Sequence, residues 1–153
     1  MNDVQCNDSP IIRVDRSTPL EYPDWVNHFI NSGLENLGPV EFDVRSLVQE
    51  YPNGLGLESL ILATDILAEL EKNKKRERCL GLREAEAVKR KGIKFFREYF
   101  NGEAVICWKC IACACNGSKY VPFIYELPAG VAVAWLPLYL RRTVVNKLVY
   151  FPE

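Results

Sequence analysis

The segment Ala104–Leu127 reads AVICWKCIACACNGSKYVPFIYEL, and it decides the fold because it predicts a β-hairpin. Asn116-Gly117 lies between two apolar runs, and Asn-Gly is a dipeptide that a two-residue type I′ turn favours. Both central residues of that turn need a positive φ, which Gly adopts without strain and Asn tolerates. The segment therefore predicts two antiparallel strands joined at residues 116–117.

A two-residue turn also predicts the register of the hairpin, with Cys113 opposite Tyr120 and Cys107 opposite Glu126. Because side chains alternate between the two faces of a strand, this register groups most of the apolar residues on one core face. That predicted face carries Ile106, Trp108, Cys110, Ala112 and Ala114 with Val121, Phe123, Tyr125 and Leu127.

The same segment holds four of the six cysteines, in the spacing C-x2-C-x2-C-x-C, which is compatible with a zinc site. The candidate ligands are Cys107, Cys110, Cys113 and Cys115. In one extended strand, however, Cys107 and Cys113 would be roughly 20 Å apart, since each residue rises about 3.3 Å. A zinc site would therefore need a knuckle in the strand and help from Cys79, Cys6 or His28. The sequence favours the other interpretation, in which the thiols stay reduced and pack as small apolar side chains.

Size and composition are typical of a single globular domain that comprises residues 1–153, with residues 1–10 predicted to be flexible. No N-terminal stretch has the features of a secretory signal, and the longest apolar run, Val131–Leu140, is too short to span a bilayer. Clustered cysteines without such a signal favour a reducing compartment, which predicts a cytoplasmic protein.

The net charge of −1 conceals a strong asymmetry along the chain. Residues 1–71 contain 3 Lys/Arg and 13 Asp/Glu, whereas residues 72–98 contain 11 Lys/Arg and 4 Asp/Glu. An acidic half beside a basic segment favours a polyanionic or acidic partner. The alternative is that the two segments neutralise each other within one fold.

Two main helices are predicted, at about 57–78 and 82–100, because apolar residues recur there at helical spacing. A shorter helix is predicted from Pro23-Asp24 to about residue 33; Trp25 and Phe29 lie on its apolar face, and it contains His28. Val131–Leu136 predicts a further strand, and residues 138–151 favour strands through their β-branched content. The elements together predict an α+β fold, with the two main helices packed on an antiparallel sheet that contains the hairpin at 104–127.

The helix at 82–100 carries four basic residues on the side opposite its apolar residues, and we call these four the basic stripe. The basic stripe consists of Arg83, Arg90, Lys94 and Arg97. Few acidic residues lie within it, so the stripe is suited to phosphate groups. The preceding segment adds Lys74, Lys75 and Arg76 as candidate nucleic-acid-binding residues. An exposed Trp108 or Tyr120 would supply base stacking.

The common signatures of hydrolases, phosphate-binding loops, dinucleotide-binding folds and zinc proteases are absent from the sequence. Carboxylates such as Glu84 and Glu86 are interpreted as solubilising charges on an exposed helix. The sequence therefore predicts a non-catalytic protein that binds nucleic acid, most plausibly RNA. The alternative is a protein-binding inhibitor or adaptor that uses the acidic N-terminal half or an open sheet edge.

A cysteine cluster at Cys107–Cys115 beside the basic stretch Lys72–Arg97 resembles the layout of the small cysteine-rich proteins of plant RNA viruses. That resemblance implies a viral accessory protein that binds RNA or zinc and suppresses RNA silencing, a host defence, in the cytoplasm of an infected cell. It covers composition and layout, and this chain lacks the paired C-x2-C arrangement usual in that group, so no functional residue is transferred. No cofactor is expected from the sequence, although zinc is compatible with the cysteine cluster, and the sequence is also compatible with a homo-oligomer.

Overall fold

The computed structural model describes residues 9–51, 63–138 and 147–153, and it shows an α+β fold, as predicted. The helices in these ranges are α1 (Ala63–Lys72), α2 (Leu82–Lys91) and α3 (Ile93–Phe100). The strands are β1 (Ile11–Arg13), β2 (Val26–Ile30), β3 (Glu41–Asp43), β4 (Val48–Glu50), β5 (Val105–Ile106), β6 (Ile111–Ala114), β7 (Lys119–Leu127), β8 (Gly130–Pro137) and β9 (Leu148–Tyr150). All strand pairs are antiparallel.

The main sheet is built around β7, which has nine residues. Strands β6 and β5 pair with successive parts of one edge of β7, and β8 pairs with β7 from Tyr120 to Leu127. Strand β2 extends the sheet beyond β6. Strands β1 and β3 form a separate pair, as do β4 and β9. The predicted strand at 131–136 is thus confirmed as β8, and β9 confirms part of the strand content predicted for 138–151.

The hairpin between β6 and β7 is confirmed, but its predicted register is wrong by one residue. Cys113 pairs with Lys119, and Ala112 pairs with Tyr120. Because a shift of one residue moves every side chain of a strand to the opposite face, Ile111 takes the core position that the sequence had given to Ala112.

The register differs because the hairpin loop has three residues, 115–117, where the sequence predicted two. The amide of Ala114 donates to the carbonyl of Ser118 at 2.9 Å, which closes the loop. Gly117 lies at φ +88°, in the left-handed region. A three-residue loop that ends in a left-handed Gly is a common hairpin connection, so Asn-Gly specified a turn without specifying its length.

The first strand of the predicted hairpin is interrupted by a turn at Cys107–Cys110. The amide of Cys110 donates to the carbonyl of Cys107 at 3.3 Å, and the amide of Cys107 donates to Pro122 at 2.8 Å. The predicted pairing of Cys107 with Glu126 is therefore wrong. A turn of the kind that a zinc knuckle requires does exist here, and it separates β5 from β6.

Two clusters of buried side chains lie on opposite faces of the main sheet, since neighbouring residues of β7 alternate between them. The first cluster joins α2 and α3 to the sheet through Ala85, Val88, Phe96, Phe100 and Ile124. The second joins α1 to the sheet through Ile66, Leu70, Ile106, Ile111 and Val121. Each fully buried large apolar side chain contributes roughly 1.5–3 kcal/mol, so these two clusters hold the helices on the sheet.

The two main helices are shorter than predicted. The helix predicted at 57–78 is helical from Ala63 to Lys72, and residues 57–62 lie outside the described residues. A turn follows in which Lys74 has φ +56°, and Arg76–Arg78 form one 3-10 turn. The helix predicted at 82–100 is broken at Gly92, where φ is +95°, so it forms α2 and α3.

The helix predicted at 23–33 is wrong. Val26–Ile30 form the edge strand β2, and only Ser32–Asn36 wind into a 3-10 helix. A bulge at Asn27 interrupts the pairing of β2 with β6, and His28 pairs with Cys113. Pairing with β6 overrides the local helical spacing, because tertiary context regularly outweighs propensity in a short segment.

Residues 1–8, within the segment predicted to be flexible, lie outside the described residues. The single-domain assignment of residues 1–153 stays a prediction. Within the described ranges, no helix combines the length and the apolar character that crossing a membrane requires.

Candidate functional site

Five aromatic side chains gather at one end of the main sheet, and we call them the aromatic patch. The aromatic patch consists of Tyr22, Trp25, Phe29, Tyr120 and Trp135. The ring of Trp25 lies 4.4 Å from that of Tyr120 and 5.6 Å from that of Trp135, measured between centroids. Tyr22 packs edge-on against Phe29 at 5.1 Å. The five rings thus form one connected cluster.

Two rings of the aromatic patch are exposed to solvent. Tyr22 is 51% exposed and Trp25 is 37% exposed, and the other three rings are half-buried. Ala112 of β6 pairs with both Phe29 and Tyr120, so a small side chain lies between two rings of the patch. Contiguous exposed apolar side chains are uncommon on monomeric proteins, so the aromatic patch is a candidate binding surface.

The sequence identified Tyr120 as a stacking residue, and the structure places it in the aromatic patch. Trp108, the other candidate, is 1% exposed and belongs to the core, so that prediction is wrong. Trp25 and Phe29 were assigned to the apolar face of a helix, because their spacing suits one. Trp25 and Phe29 are four residues apart, a spacing that suits one face of a helix and one face of a strand alike, and the polar Asn27 between them weakens the strand pattern.

Two residues of the basic stripe form hydrogen bonds or ion pairs within the protein. Arg83 donates through Nη1 to the carbonyls of Asp15 at 3.0 Å and Thr18 at 2.7 Å. Arg97 forms a bidentate pair with Glu126, with Nη2–Oε2 at 3.0 Å, and this hydrogen bonding raises the pKa of Arg97. These two arginines hold parts of the fold together and are poor candidates for phosphate contact.

The other two residues of the basic stripe, Arg90 and Lys94, are exposed. The described residues include no hydrogen-bond or ion-pair partner for Arg90. Arg90 and Arg83 line a cleft of about 690 Å³ between α2 and the segment that follows β1. Thr18 to Glu21 line the same cleft, and the next residue, Tyr22, belongs to the aromatic patch. The cleft therefore adjoins the patch through this segment.

The three further basic candidates occupy different environments. Lys75 pairs with Glu50 at 3.4 Å and lies over the ring of Tyr150 at 5.1 Å. Lys74 is exposed. Arg76 is 4% exposed, and its guanidinium donates to the two carbonyls of the turn that separates β5 from β6, through Nε to Trp108 at 3.0 Å and through Nη2 to Lys109 at 3.1 Å.

The four candidate zinc ligands are spread along the segment. Cys107 and Cys110 lie in the turn between β5 and β6, Cys113 is within β6, and Cys115 is exposed in the hairpin loop. Across the described part of the chain, no three potential ligands are grouped so that they could hold one metal ion. Zinc binding therefore has no assembled site in the described ranges and stays a prediction.

The buried thiols are poor metal ligands as they stand. Burial raises the pKa of Cys79 to about 12, and it also raises the pKa of Cys107 and of Cys110 well above the ordinary value of a thiol. A metal binds the thiolate, so these three side chains would have to lose a proton in an environment that opposes the charged form. The interpretation of reduced, apolar cysteines agrees with this burial.

In a second unusual region four charged side chains are buried together at the N-terminus of α2, and two of them, Glu35 and Lys109, line a small cavity with Phe29 of the aromatic patch. We call this region the buried charge network, and it consists of Arg16, Glu35, Glu84 and Lys109. Glu84 is fully buried and pairs with Arg16, and it lies 3.2 Å from the ammonium of Lys109. Glu35 accepts from the amides of Leu82 at 2.8 Å and Arg83 at 3.0 Å.

The buried charge network fixes both ends of the segment that carries Tyr22, Trp25 and Phe29. Arg16, before the segment, donates through Nη1 to the carbonyl of Glu35, which follows it, at 2.9 Å. Both residues also contact the first turn of α2, Arg16 through the carboxylate of Glu84 and Glu35 through backbone amides. Because buried charges are stable only when paired and hydrogen-bonded, the network holds this segment in one position.

The sequence missed the buried charge network, and its interpretation of Glu84 as a solubilising charge is wrong. Glu84 also accepts from the amide of Gly81 at 2.7 Å, which is half of a capping box. The signal was available in the spacing of Gly81 and Glu84 at the start of the helix. Nothing local to the sequence, however, could place Arg16 or Lys109 beside that carboxylate.

The chain matches no protein-family model, no curated protein and no solved structure.

Proposed function

We propose that the protein binds single-stranded nucleic acid, chiefly RNA. The aromatic patch is its binding surface. The observation that carries this proposal is the exposure of Tyr22 and Trp25 within a connected cluster of five rings on an antiparallel sheet. Sheet faces with exposed aromatic residues bind unpaired bases by stacking. Stacking is sequence-tolerant, because every base presents a π face.

The surroundings of the patch support a single strand over a duplex. A single strand can unstack its bases onto the rings, whereas a duplex hides those faces between base pairs. Glu21 and Asp24 are exposed beside the patch, and carboxylates repel phosphate but accept hydrogen bonds from amino groups of bases. Base edges are therefore directed towards these acids, and the phosphates lie away from them.

A phosphate contact comes from Arg90, an exposed cation that lines the cleft adjoining the patch. Lys119 immediately precedes Tyr120 in β7 and therefore lies on the opposite face of the sheet from it. If Arg90 contacts one phosphate, the logarithm of affinity falls with the logarithm of salt concentration at a slope near −0.7 for a single strand. Arg83 and Arg97, two of the residues that the sequence predicted to contact phosphate, are not needed for this binding.

The test is a titration of labelled single-stranded RNA with the wild-type protein and with Trp25→Ala, at two salt concentrations. An oligonucleotide of about 12 residues suffices, since such sites cover roughly 4–16 nucleotides. Loss of one stacked base costs about 1–3 kcal/mol, so we expect Trp25→Ala to bind roughly 5- to 150-fold more weakly. Fluorescence anisotropy measures the change.

The matched control is Leu37→Ala, which removes another large exposed apolar side chain, 57% exposed, outside the aromatic patch. We expect it to bind RNA as the wild type does. Equal affinity of Trp25→Ala and wild type would contradict the proposal. A folded wild type that ignores RNA at low salt would leave the protein-binding alternative, acting through the acidic N-terminal half or an open sheet edge. The role of a viral suppressor in an infected cell stays a prediction from resemblance.

A further inference from the structure

We infer that a second cleft, between the end of α1 and the start of β7, binds a phosphoryl group. The cleft has a volume of about 810 Å³. Three cations line it, and they come from parts of the chain that are distant in sequence. They are Lys74, Arg76 and Lys119. The phosphoryl group belongs either to a nucleic acid backbone, an alternative that rests on the proposed function, or to a free phosphate.

Arg76 is the buried, fixed cation of this site. It is 4% exposed, yet no carboxylate within the described residues lies within ion-pair distance of its guanidinium. Its Nε and Nη2 donate to two backbone carbonyls, and the described residues offer no acceptor to Nη1. A buried cation without a paired anion is unfavourable, and burial accordingly lowers the pKa of Arg76. An anion in the cleft would supply the missing partner.

Lys74 and Lys119 provide the mobile part of the site. Both are exposed, and the described residues include no acidic partner for either ammonium. Lys74 is held in the cleft by a turn in which its φ is +56°. A long flexible ammonium can follow a bound anion, whereas the fixed guanidinium of Arg76 presents a planar donor set suited to phosphate oxygens.

Two carboxylates, Glu71 and Glu77, also line the cleft, so three positive charges face two negative ones. Both carboxylates and both lysines belong to exposed residues, whereas the arginine is buried. Charges in solvent are screened strongly, and charges in a protein interior are screened much less. The field at Arg76 therefore favours an anion.

The test uses the intact protein and inorganic phosphate, titrated by calorimetry at constant ionic strength. The variant is Lys74→Gln/Lys119→Gln, because both side chains are exposed and their replacement leaves the buried Arg76 in place. The matched control is Lys89→Gln, an exposed lysine on α2 that does not line the cleft. We expect wild type and control to bind phosphate and the double variant to bind it at least about tenfold more weakly.

A parallel titration with single-stranded RNA identifies the source of the phosphoryl group. Removing two phosphate contacts makes the salt slope less steep by about 1.4 for a single strand. If the salt slope of RNA binding is less steep in the double variant than in the wild type, the phosphoryl group belongs to the RNA backbone. This holds whether or not the wild type also binds free phosphate. Phosphate binding that the double variant loses, with an unchanged slope, supports a free phosphate.

Two results would overturn the inference. One is phosphate binding that the double variant retains in full, because the anion then sits elsewhere. The other is a wild type that binds no phosphate and whose salt slope is unaffected by the double substitution. If the wild type binds no RNA at all, the proposed function fails, and the phosphate titration still decides the status of the cleft.

Discussion

The aromatic patch and the buried charge network lie next to each other and reverse the usual distribution of side chains. Trp25 and Tyr22 are exposed, whereas Glu84 and Lys109 are at most 2% exposed. Large aromatic residues normally gain stability from burial, and charged residues normally lose it. Departures of this kind from the usual distribution are expected at functional or strained sites.

The two regions also have different structural roles. The buried charge network fixes the two ends of the segment 16–35 to the first turn of α2. The aromatic patch takes three of its five rings from within that segment. Paired buried charges hold the segment rigidly, and rigid presentation of aromatic rings lowers the ordering cost of binding. The first three variants below each disturb one of these regions, and the last concerns a carboxylate outside both.

The largest effect is expected from Glu84→Gln, which removes the central charge of the network with little change in volume. Arg16 and Lys109 would then be buried without their anion, and loss of one partner from a buried pair costs about 3–5 kcal/mol. Urea unfolding measures the loss. The control is Glu86→Gln, two residues further along the same helix and half-exposed, which should change stability by less than about 0.5 kcal/mol. Equal behaviour of the two variants would mean that Glu84 does not anchor the segment.

A smaller loss is expected from Gly81→Ala, which tests the packing of the same network. A Cβ atom at Gly81 would lie 2.3 Å from Oε2 of Glu35 and 2.9 Å from Cε of Lys109. Overpacking of this kind costs about 1–3 kcal/mol, and thermal unfolding detects it. Gly33→Ala is the matched control, because a Cβ atom there has no neighbour within 4 Å. A variant at position 81 as stable as its control would show that Glu35 can move away from α2.

Gly117→Val tests the turn that places Tyr120 in the aromatic patch. Gly117 has φ +88°, and a β-branched residue resists that conformation. We expect a loss of about 1–3 kcal/mol, together with weaker RNA binding if the register of β7 shifts. Thermal unfolding beside an RNA titration separates the two effects. An unchanged melting temperature would show that the loop tolerates other conformations.

The smallest effect concerns Glu50, an exposed carboxylate outside both regions. The Tyr150 hydroxyl donates a hydrogen bond to Glu50 at 2.7 Å, and this bond lowers the pKa of Glu50 from its ordinary value of 4.5. The hydrogen bond and positive charge of Lys75 lower it to a smaller extent. A lowered pKa stabilises the fold above about pH 4.5, and the contribution disappears as the pH falls through the folded-state pKa. Tyr150→Phe should therefore flatten the acid limb of the stability profile. The same slope in both proteins would refute the role of this hydrogen bond.

The sequence predicted elements more reliably than it predicted what they contact. Asn116-Gly117 located the hairpin, but loop length set the register, and that length depends on backbone conformation at three residues. The break between β5 and β6 could not be predicted from the cysteine spacing, because a buried arginine 32 positions away satisfies the carbonyl of Trp108 in the turn.

The candidate site was harder to predict than the fold. The apolar side of the helix predicted at 82–100 does face the core, where Ala85, Val88 and Phe96 are buried, yet helical spacing did not show that Arg83 and Arg97 have partners within the protein. Those partners, the segment after β1 and Glu126 of β7, are distant in sequence. Trp25 was missed because a bulged edge strand and a short helix give similar apolar spacing.

The most direct test of the central claim is tryptophan fluorescence during RNA titration. The chain has three tryptophans, of which Trp25 and Trp135 belong to the aromatic patch and Trp108 is 1% exposed. Stacked bases should quench the two patch tryptophans and leave Trp108 unaffected, so we predict strong quenching in wild type and almost none in Trp25→Phe/Trp135→Phe. Quenching that persists in this variant, or RNA binding with no quenching in wild type, would contradict the claim that bases stack on the aromatic patch.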